Sequence, residues 1–440
     1  MATLNRQEKF PGGANPADDS PGKAPFGHTA RTDERLTLKI SLTVAVFFFV
    51  NSILRGIRTP GRWAATHFLF NYDMGFCKRA LLGTLAATLD QPFAYHYPFF
   101  FWFAVVVFVA DALLLVALVK RLFEIGDYAS KLAAWLFCSS LAVVFFAHSI
   151  GYFEQISLLV TLLALRTDDF YARALLVGVC FGVSLLIHET GFLIFFPVIF
   201  LRFLADLEGR RDGAKVATLL ALSIVLSAVV ISVGQTHLSP ALVEAMRRSL
   251  QAKADYHLRV DAFEVLTRTV RDNWKVMGPL WLQRDFQELF LFSLLVTLPT
   301  ALYFSYESCT SVSRAGYGRA VTLFAAGASF APLSLHLLGW DFSRWDTLAV
   351  TTSFLVFAVV QLNFERPPRA LPELTHRSGR ALAAVLVAVN LASSIDLFDN
   401  YVVQSFPYEG HITDVMNMLS GQTPFPPRPE KCLPDEPDCH

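Results

Sequence analysis

Residues 98–119 read PFFFWFAVVVFVADALLLVALV, and this stretch decides the fold. Asp111 is its one charged side chain. About 20 apolar residues, rising ~1.5 Å each as a helix, match the ~30 Å hydrocarbon core of a bilayer. Backbone groups left unpaired in lipid are too costly, so an apolar block of this length must be helical. Working outward, ten further blocks follow the same pattern: 38–55, 131–149, 152–166, 171–187, 190–205, 215–234, 288–306, 319–338, 346–363 and 380–398. The blocks at 152–166 and 190–205 are the shortest. The expectation is an all-α polytopic integral membrane protein with about 11 transmembrane helices.

Composition agrees. Of 440 residues, 54% are apolar and 17% charged, and forty are Phe. A soluble two-domain enzyme and a disordered chain are disfavoured by that balance. The charges cancel, 37 basic against 37 acidic, so no bulk field draws nucleic acid, and no nucleic-acid partner is expected. The six cysteines form no disulfide framework. Of Cys77, Cys138, Cys180 and Cys309 most lie in or beside apolar runs, whereas Cys432 and Cys439 sit in the polar tail and could pair outside the cytoplasm.

Residues 1–35 are polar and rich in Gly, Pro and charge, and read as a disordered cytoplasmic tail without a cleavable signal peptide. Residues 36–398 form the multi-span domain, interrupted by polar loops at 56–97 and 235–287, and 399–440 form a second tail. With the N-terminus inside, the inner connections hold fifteen Lys and Arg residues between Lys120 and Arg380. The three short outer connections, near 150, 189 and 342, hold Arg344 alone. The positive-inside rule therefore places both long loops and the C-terminus on the periplasmic side of a bacterial inner membrane.

Reactive residue types collect on that face. The first outer loop carries Asn71-Tyr72-Asp73-Met74-Gly75-Phe76-Cys77-Lys78-Arg79, followed by an apolar segment at 79–89 that suits an interfacial helix. Lys78 and Arg79 serve either a substrate or lipid headgroups. The second gives His148-Ser149-Ile150-Gly151-Tyr152-Phe153-Glu154, where Glu154 is a catalytic acid or base, or simply a favourable charge at a helix start. The third gives His188-Glu189-Thr190-Gly191, a His–Glu pair at a hairpin tip, with a carbonyl-bonded structural histidine as the alternative. The last runs from His336 through Asp341 and Arg344 to Asp346. Arg344 there clamps an anion or pairs locally with Asp341. In the loop 235–287, Ser239-Pro240 opens one helix, and Asp261 with Glu264 has capping-box spacing for a second. Phe263, Leu266, Val270 and Trp274 would form that helix's apolar stripe.

A long first outer loop bearing an acid near the membrane, followed by many spans, resembles the GT-C superfamily of polyprenyl-phosphate-dependent glycosyltransferases. It also resembles the bacterial membrane polymerases that extend surface polysaccharides. The resemblance implies a transferase or polymerase that takes a lipid-linked glycan donor and a glycan or lipid acceptor at the outer face of the membrane. It implies that Asp73, in the position of the family's loop acid, is the base; of the other outer-face acids, Glu154 or Glu189 ranks second on position alone. Lys78, Arg79, His188, His336, Asp341 and Arg344 are the substrate-binding candidates. Many members carry a paired Asp/Glu motif in that loop. Here Asp73 stands without a near neighbour, Asp90 being distant in sequence, which argues against a resident divalent metal, and no other cofactor is implied. The large soluble C-terminal domain of many members has no counterpart. Two other readings remain: a transporter or flippase for a glycolipid or amphipathic anion, with Asp111 central, and a non-enzymatic membrane subunit of an envelope assembly.

Overall fold

The computed structural model describes residues 27–89, 92–207, 212–339, 341–364, 373–393, 396–397, 401–405 and 407–420. The pair Cys432 and Cys439, and Asp90, lie outside them. Two contact units divide the chain, residues 1–40 and 41–440. The described part of the first is helical.

Eighteen α-helices follow one another among the described residues. They are α1 (Gly27–Gly56), α2 (Arg62–Phe68), α3 (Leu81–Thr88), α4 (Tyr97–Ile125), α5 (Tyr128–Ser139), α6 (Leu141–His148), α7 (Glu154–Arg166), α8 (Phe170–Leu176) and α9 (Gly182–Ile187). Then come α10 (Gly191–Asp206), α11 (Gly213–Gly234), α12 (Pro240–Lys253), α13 (Val270–Leu280), α14 (Arg284–Arg314), α15 (Arg319–Phe330), α16 (Phe342–Asn363), α17 (Glu373–Ala392) and α18 (Glu409–Leu419). A π turn, Val177–Phe181, joins α8 to α9, and a 3-10 segment, Ala331–Leu337, continues α15. Among the described residues the one β feature is a pair of two-residue antiparallel strands, Asp396–Leu397 and Tyr401–Val402.

The local chemistry explains the boundaries. Asp127 caps α5 through Ser130 N at 2.7 Å, and Asp169 caps α8 through Ala172 N at 2.7 Å. Gly126, at φ +81°, ends α4. Ser140 separates α5 from α6 with a bend of 43°.

Among the described residues the apolar blocks are helical for most of their length, but length separates them. Among the described residues seven helices are long and apolar enough to cross a membrane, or eight if α5 and α6 count as one bent span. The expected eleven also included 152–166, 190–205 and 380–398. The first two are α7, with 13 residues, and α10, with 16. At ~1.5 Å per residue they reach only about 20 and 24 Å, short of the ~30 Å core. The third falls largely in α17, which is not among the seven. Helix α1 starts at Gly27, inside the segment read as a disordered tail, and α18 lies in the segment read as a polar one.

The helix α16 is the axis. Its side chains are buried along nearly its whole length, against α14, α10, α15 and α6. Phe137 of α5 stacks on Phe354 of α16 at 3.9 Å. The two long loops do not stand apart. Tyr256 donates to Ala65 O at 2.8 Å, a ring nitrogen of His67 meets Ala262 O at 2.9 Å, and Phe68, Phe70, Met246, Tyr256, Phe263 and Leu266 share one apolar cluster. The second helix of loop 235–287 differs from the expected one. Residues Val260–Leu266 are 3-10, and α13 starts afresh at Val270, because Thr269 and Asp272, not Asp261 and Glu264, form the capping box. The expected stripe is split accordingly. Phe263 and Leu266 are buried, while Val270 and Trp274 are exposed.

Candidate functional site

The first loop is built on tight turns. Asn71 Oδ1 accepts from Asp73 N at 3.1 Å, and Thr84 Oγ1 accepts from Tyr72 N at 3.0 Å. A Cβ at Gly83 would lie 2.1 Å from Phe70 O, so α3 can fold back this closely only on a glycine. Arg79, at φ +64°, is the one non-glycine residue in the left-handed region among the described residues. That conformation costs roughly 1–2 kcal/mol. It aims a buried guanidinium at Glu189, with Nη2 to Oε1 at 3.2 Å and Nε to Oε2 at 3.4 Å. Two parallel charge-assisted bonds of this kind hold a strained backbone in place.

Glu189 sits at the hairpin tip between α9 and α10. The tip is tight because a Cβ at Gly191 would meet Ser157 Oγ at 2.5 Å. Burial alone would raise the Glu189 carboxyl, but Arg79, His188 and Lys78 outweigh it and hold the group well below the usual carboxylate range. Lys78 is itself buried and donates to Arg268 O. His188 leaves α9 in an extended conformation. Its Nδ1 pairs with Thr190 Oγ1, and its Nε2 lies 3.6 Å from Glu154 Oε1. Burial pushes its ring down to about 4, against the pull of Glu154, so it is neutral at pH 7.

Glu154 opens α7, where the helix dipole favours an acid. Its Oε1 receives Arg344 Nη2 from the start of α16. Arg344 Nη1 also donates to Asp341 Oδ2 at 3.1 Å. The guanidinium lies 5.0 Å from the Tyr152 ring centre and 4.7 Å from that of Trp345, an aromatic sandwich suited to a cation. Glu154 Oε2 is buried and has no hydrogen-bond partner.

Glu154 and Arg344 line a cavity of about 40 Å³. Ser149, Tyr152 and Gln155 lie beside them, and Leu158, Thr347, Leu348 and Thr351 continue the wall along α7 and α16. Leu115, Phe137, Ala142, Val143, Phe145, Phe146 and Phe195 complete it. The charged pair thus stands at the beginnings of two helices, and the wall turns apolar a turn or two further along. This volume holds a few waters. Among the described residues no group of three or more His, Cys, Asp or Glu side chains is arranged to hold a metal ion.

Comparison with family models, with curated proteins and with solved structures gives no match. The geometry alone therefore ranks the expected residues. Arg79, His188, Glu189, Glu154, Arg344 and Asp341, scattered over more than 260 positions, converge in one network, buried except at its half-buried members Glu189 and Asp341. Lys78 joins its edge through Glu189. Two residues stand apart. Asp73 is exposed at the loop turn and does not line the cavity. His336 pairs with Asp346, Nε2 to Oδ1 at 2.9 Å, in an aromatic setting of Phe290 and Phe342 outside the cavity. Three partners were not singled out from sequence. Tyr152 and Thr190 lie within the quoted segments and were legible there. His67, buried against Trp63 with ring centres 3.7 Å apart, carried no pattern at all.

Proposed function

We propose that the protein is a membrane glycosyltransferase or glycan polymerase acting on a polyprenyl-phosphate-linked sugar at the outer face of a bacterial inner membrane, with the N-terminus cytoplasmic and the C-terminus periplasmic. The observation that carries this reading is the Glu154–Arg344 pair beside a cavity with apolar walls, with Glu154 Oε2 left unpartnered. Such a site suits a ligand with an anionic head and an apolar tail. Arg344 exchanges one of its two carboxylate partners for the phosphate, and Arg79 adds a second guanidinium. The cavity must widen to admit a sugar. Glu154, rather than the exposed Asp73, takes the proton of the accepting hydroxyl. The hydroxyl oxygen forms a bond to the anomeric carbon, the bond from that carbon to the phosphate oxygen breaks, and the phosphate leaves with the electron pair, steadied by the arginines.

The test is deletion of the protein in its host, complemented by wild type or by Glu154→Gln. The expected result is a shortened or missing surface glycan and accumulated lipid-linked intermediate in both the deletion and the Glu154→Gln strain. Unchanged glycans in the deletion strain overturn the reading. Orientation is tested separately with Asp73→Cys, which a membrane-impermeant maleimide should label from the periplasmic side.

A further inference from the structure

The 29-residue helix α4 carries Asp111 at its midpoint. The side chain is 0% exposed, and neither carboxyl oxygen has a hydrogen-bond partner. The helices packed against α4 offer no charge to it. Glu154 and Arg166 of α7, Lys131 of α5, and Arg344 and Asp346 of α16 all leave it untouched, as do Arg62 and His67 of α2. An ionised carboxylate in such surroundings is too costly to keep. A cation other than a proton requires several oxygen ligands, and nothing in hydrogen-bond reach supplies a second side chain.

Asp111 does not itself line the cavity, but its neighbours on α4 border it. Leu115, one turn further along the same face of α4, lines the cavity. Phe108, one turn earlier, stacks on Phe146 with ring centres 4.8 Å apart, and Phe146 is another wall residue. The face of α4 that carries Asp111 thus borders the apolar wall one turn to either side of it.

We propose that Asp111 is a proton-binding site in the middle of α4, holding its proton as a neutral acid and exchanging it through the adjacent cavity. A carboxyl that only filled space would be matched by an apolar residue at no electrostatic cost, whereas one that binds and releases a proton needs this seclusion and this nearness to a space that water can fill. The site is independent of the glycosyl-transfer reading.

A carbodiimide that partitions into lipid tests it, because such reagents modify carboxyls only in the protonated form. The full chain, reconstituted in lipid nanodiscs, is treated with dicyclohexylcarbodiimide between pH 6 and 9.5, and adducts are mapped by peptide mass spectrometry. The expected result is an adduct on Asp111 at pH 6 that falls at least fivefold by pH 9.5. In parallel, infrared spectra should show a protonated-carboxyl band that Asp111→Asn removes and Asp111→Glu restores, shifted. No adduct at pH 6 overturns the proposal, and so does an adduct equally abundant across the range, which would mean a sealed acid that never exchanges. If Asp111→Asn fails to fold, the wild-type labelling profile alone still decides.

Discussion

The two ends of α7 make an instructive pair. At its C-terminal end, Arg173 spends every nitrogen on structure. Its Nε donates to Ala164 O at 3.1 Å and Thr167 O at 2.9 Å, its Nη2 to Asp168 O at 3.0 Å, and its Nη1 to Asp206, which also takes Arg202. The carbonyls left over at a helix C-terminus are what this cation satisfies. At the N-terminal end, Glu154 has the complementary dipole role but is not saturated. One oxygen is committed to Arg344, the other has no partner, and a cavity lies beside it. Both clusters are buried and both pair Arg with acid. The difference is that in the first Arg173 is closed upon backbone and Asp206, although Arg202 Nε there has no partner, whereas the second has a cavity beside it. A buried ion pair is thus poor evidence of function until the destination of its remaining lone pairs is known.

Four measurements break or sharpen that contrast. The largest effect is expected at the open end. Glu154→Gln should lower glycan transfer by about 10³-fold, the usual order for a lost general base and equivalent to about 4 kcal/mol on the barrier, with insertion intact. Retained activity would equate the two ends. At the closed end, Arg173→Met should destabilise the protein by about 3 kcal/mol, read as a lowered melting temperature in detergent, with specific activity of the surviving fraction unchanged. Loss of specific activity at full stability would reverse the assignment.

The third measurement is a pH profile of stability. His188 is neutral when folded, because burial pushes its ring down to about 4, while the unfolded chain protonates at the ordinary value near 6.5. Its contribution is therefore complete above pH 6.5 and is lost as the pH falls from 6.5 to 4, by on the order of 3 kcal/mol at most. Melting temperatures between pH 8 and 4 should fall less steeply in His188→Gln than in wild type. Parallel profiles would remove His188 from the network's balance. The smallest effect is expected at Asp73. Asp73→Asn should change glycan output less than twofold, since the side chain is exposed and away from the cavity lining. A severe loss there would move the base back to the first loop.

The sequence made most of the helical chain legible, though the blocks at 131–149 and 171–187 each became two helices, and it marked Arg79, Glu154, His188, Glu189, Asp341 and Arg344 as candidates. It did not reveal which members meet. Arg79 and Glu189 are 110 positions apart, and Arg344 and Glu154 are 190 apart. No periodicity links such pairs, because their meeting depends on how whole helices pack. The local readings of two residues hold. Arg344 does pair with Asp341, and Glu154 does begin a helix, yet each also joins the long-range contact. Hydropathy alone does not separate α7 and α10 from full spans, because it measures apolarity and not reach, and a short helix buried among others is as apolar as one in lipid.

The π turn at Val177–Phe181 has its own consequence for the network. One extra residue in a helical turn advances the phase of everything after it by about 100°. His188 and Glu189 come off the end of that helix seven and eight positions later, so the bearing on which they emerge is set by a single surplus residue. Excising Gly178 would restore an unbroken α-helix and swing the hairpin tip away from Arg79 and Glu154. One codon, lost or gained, separates the assembled arrangement from a dispersed one.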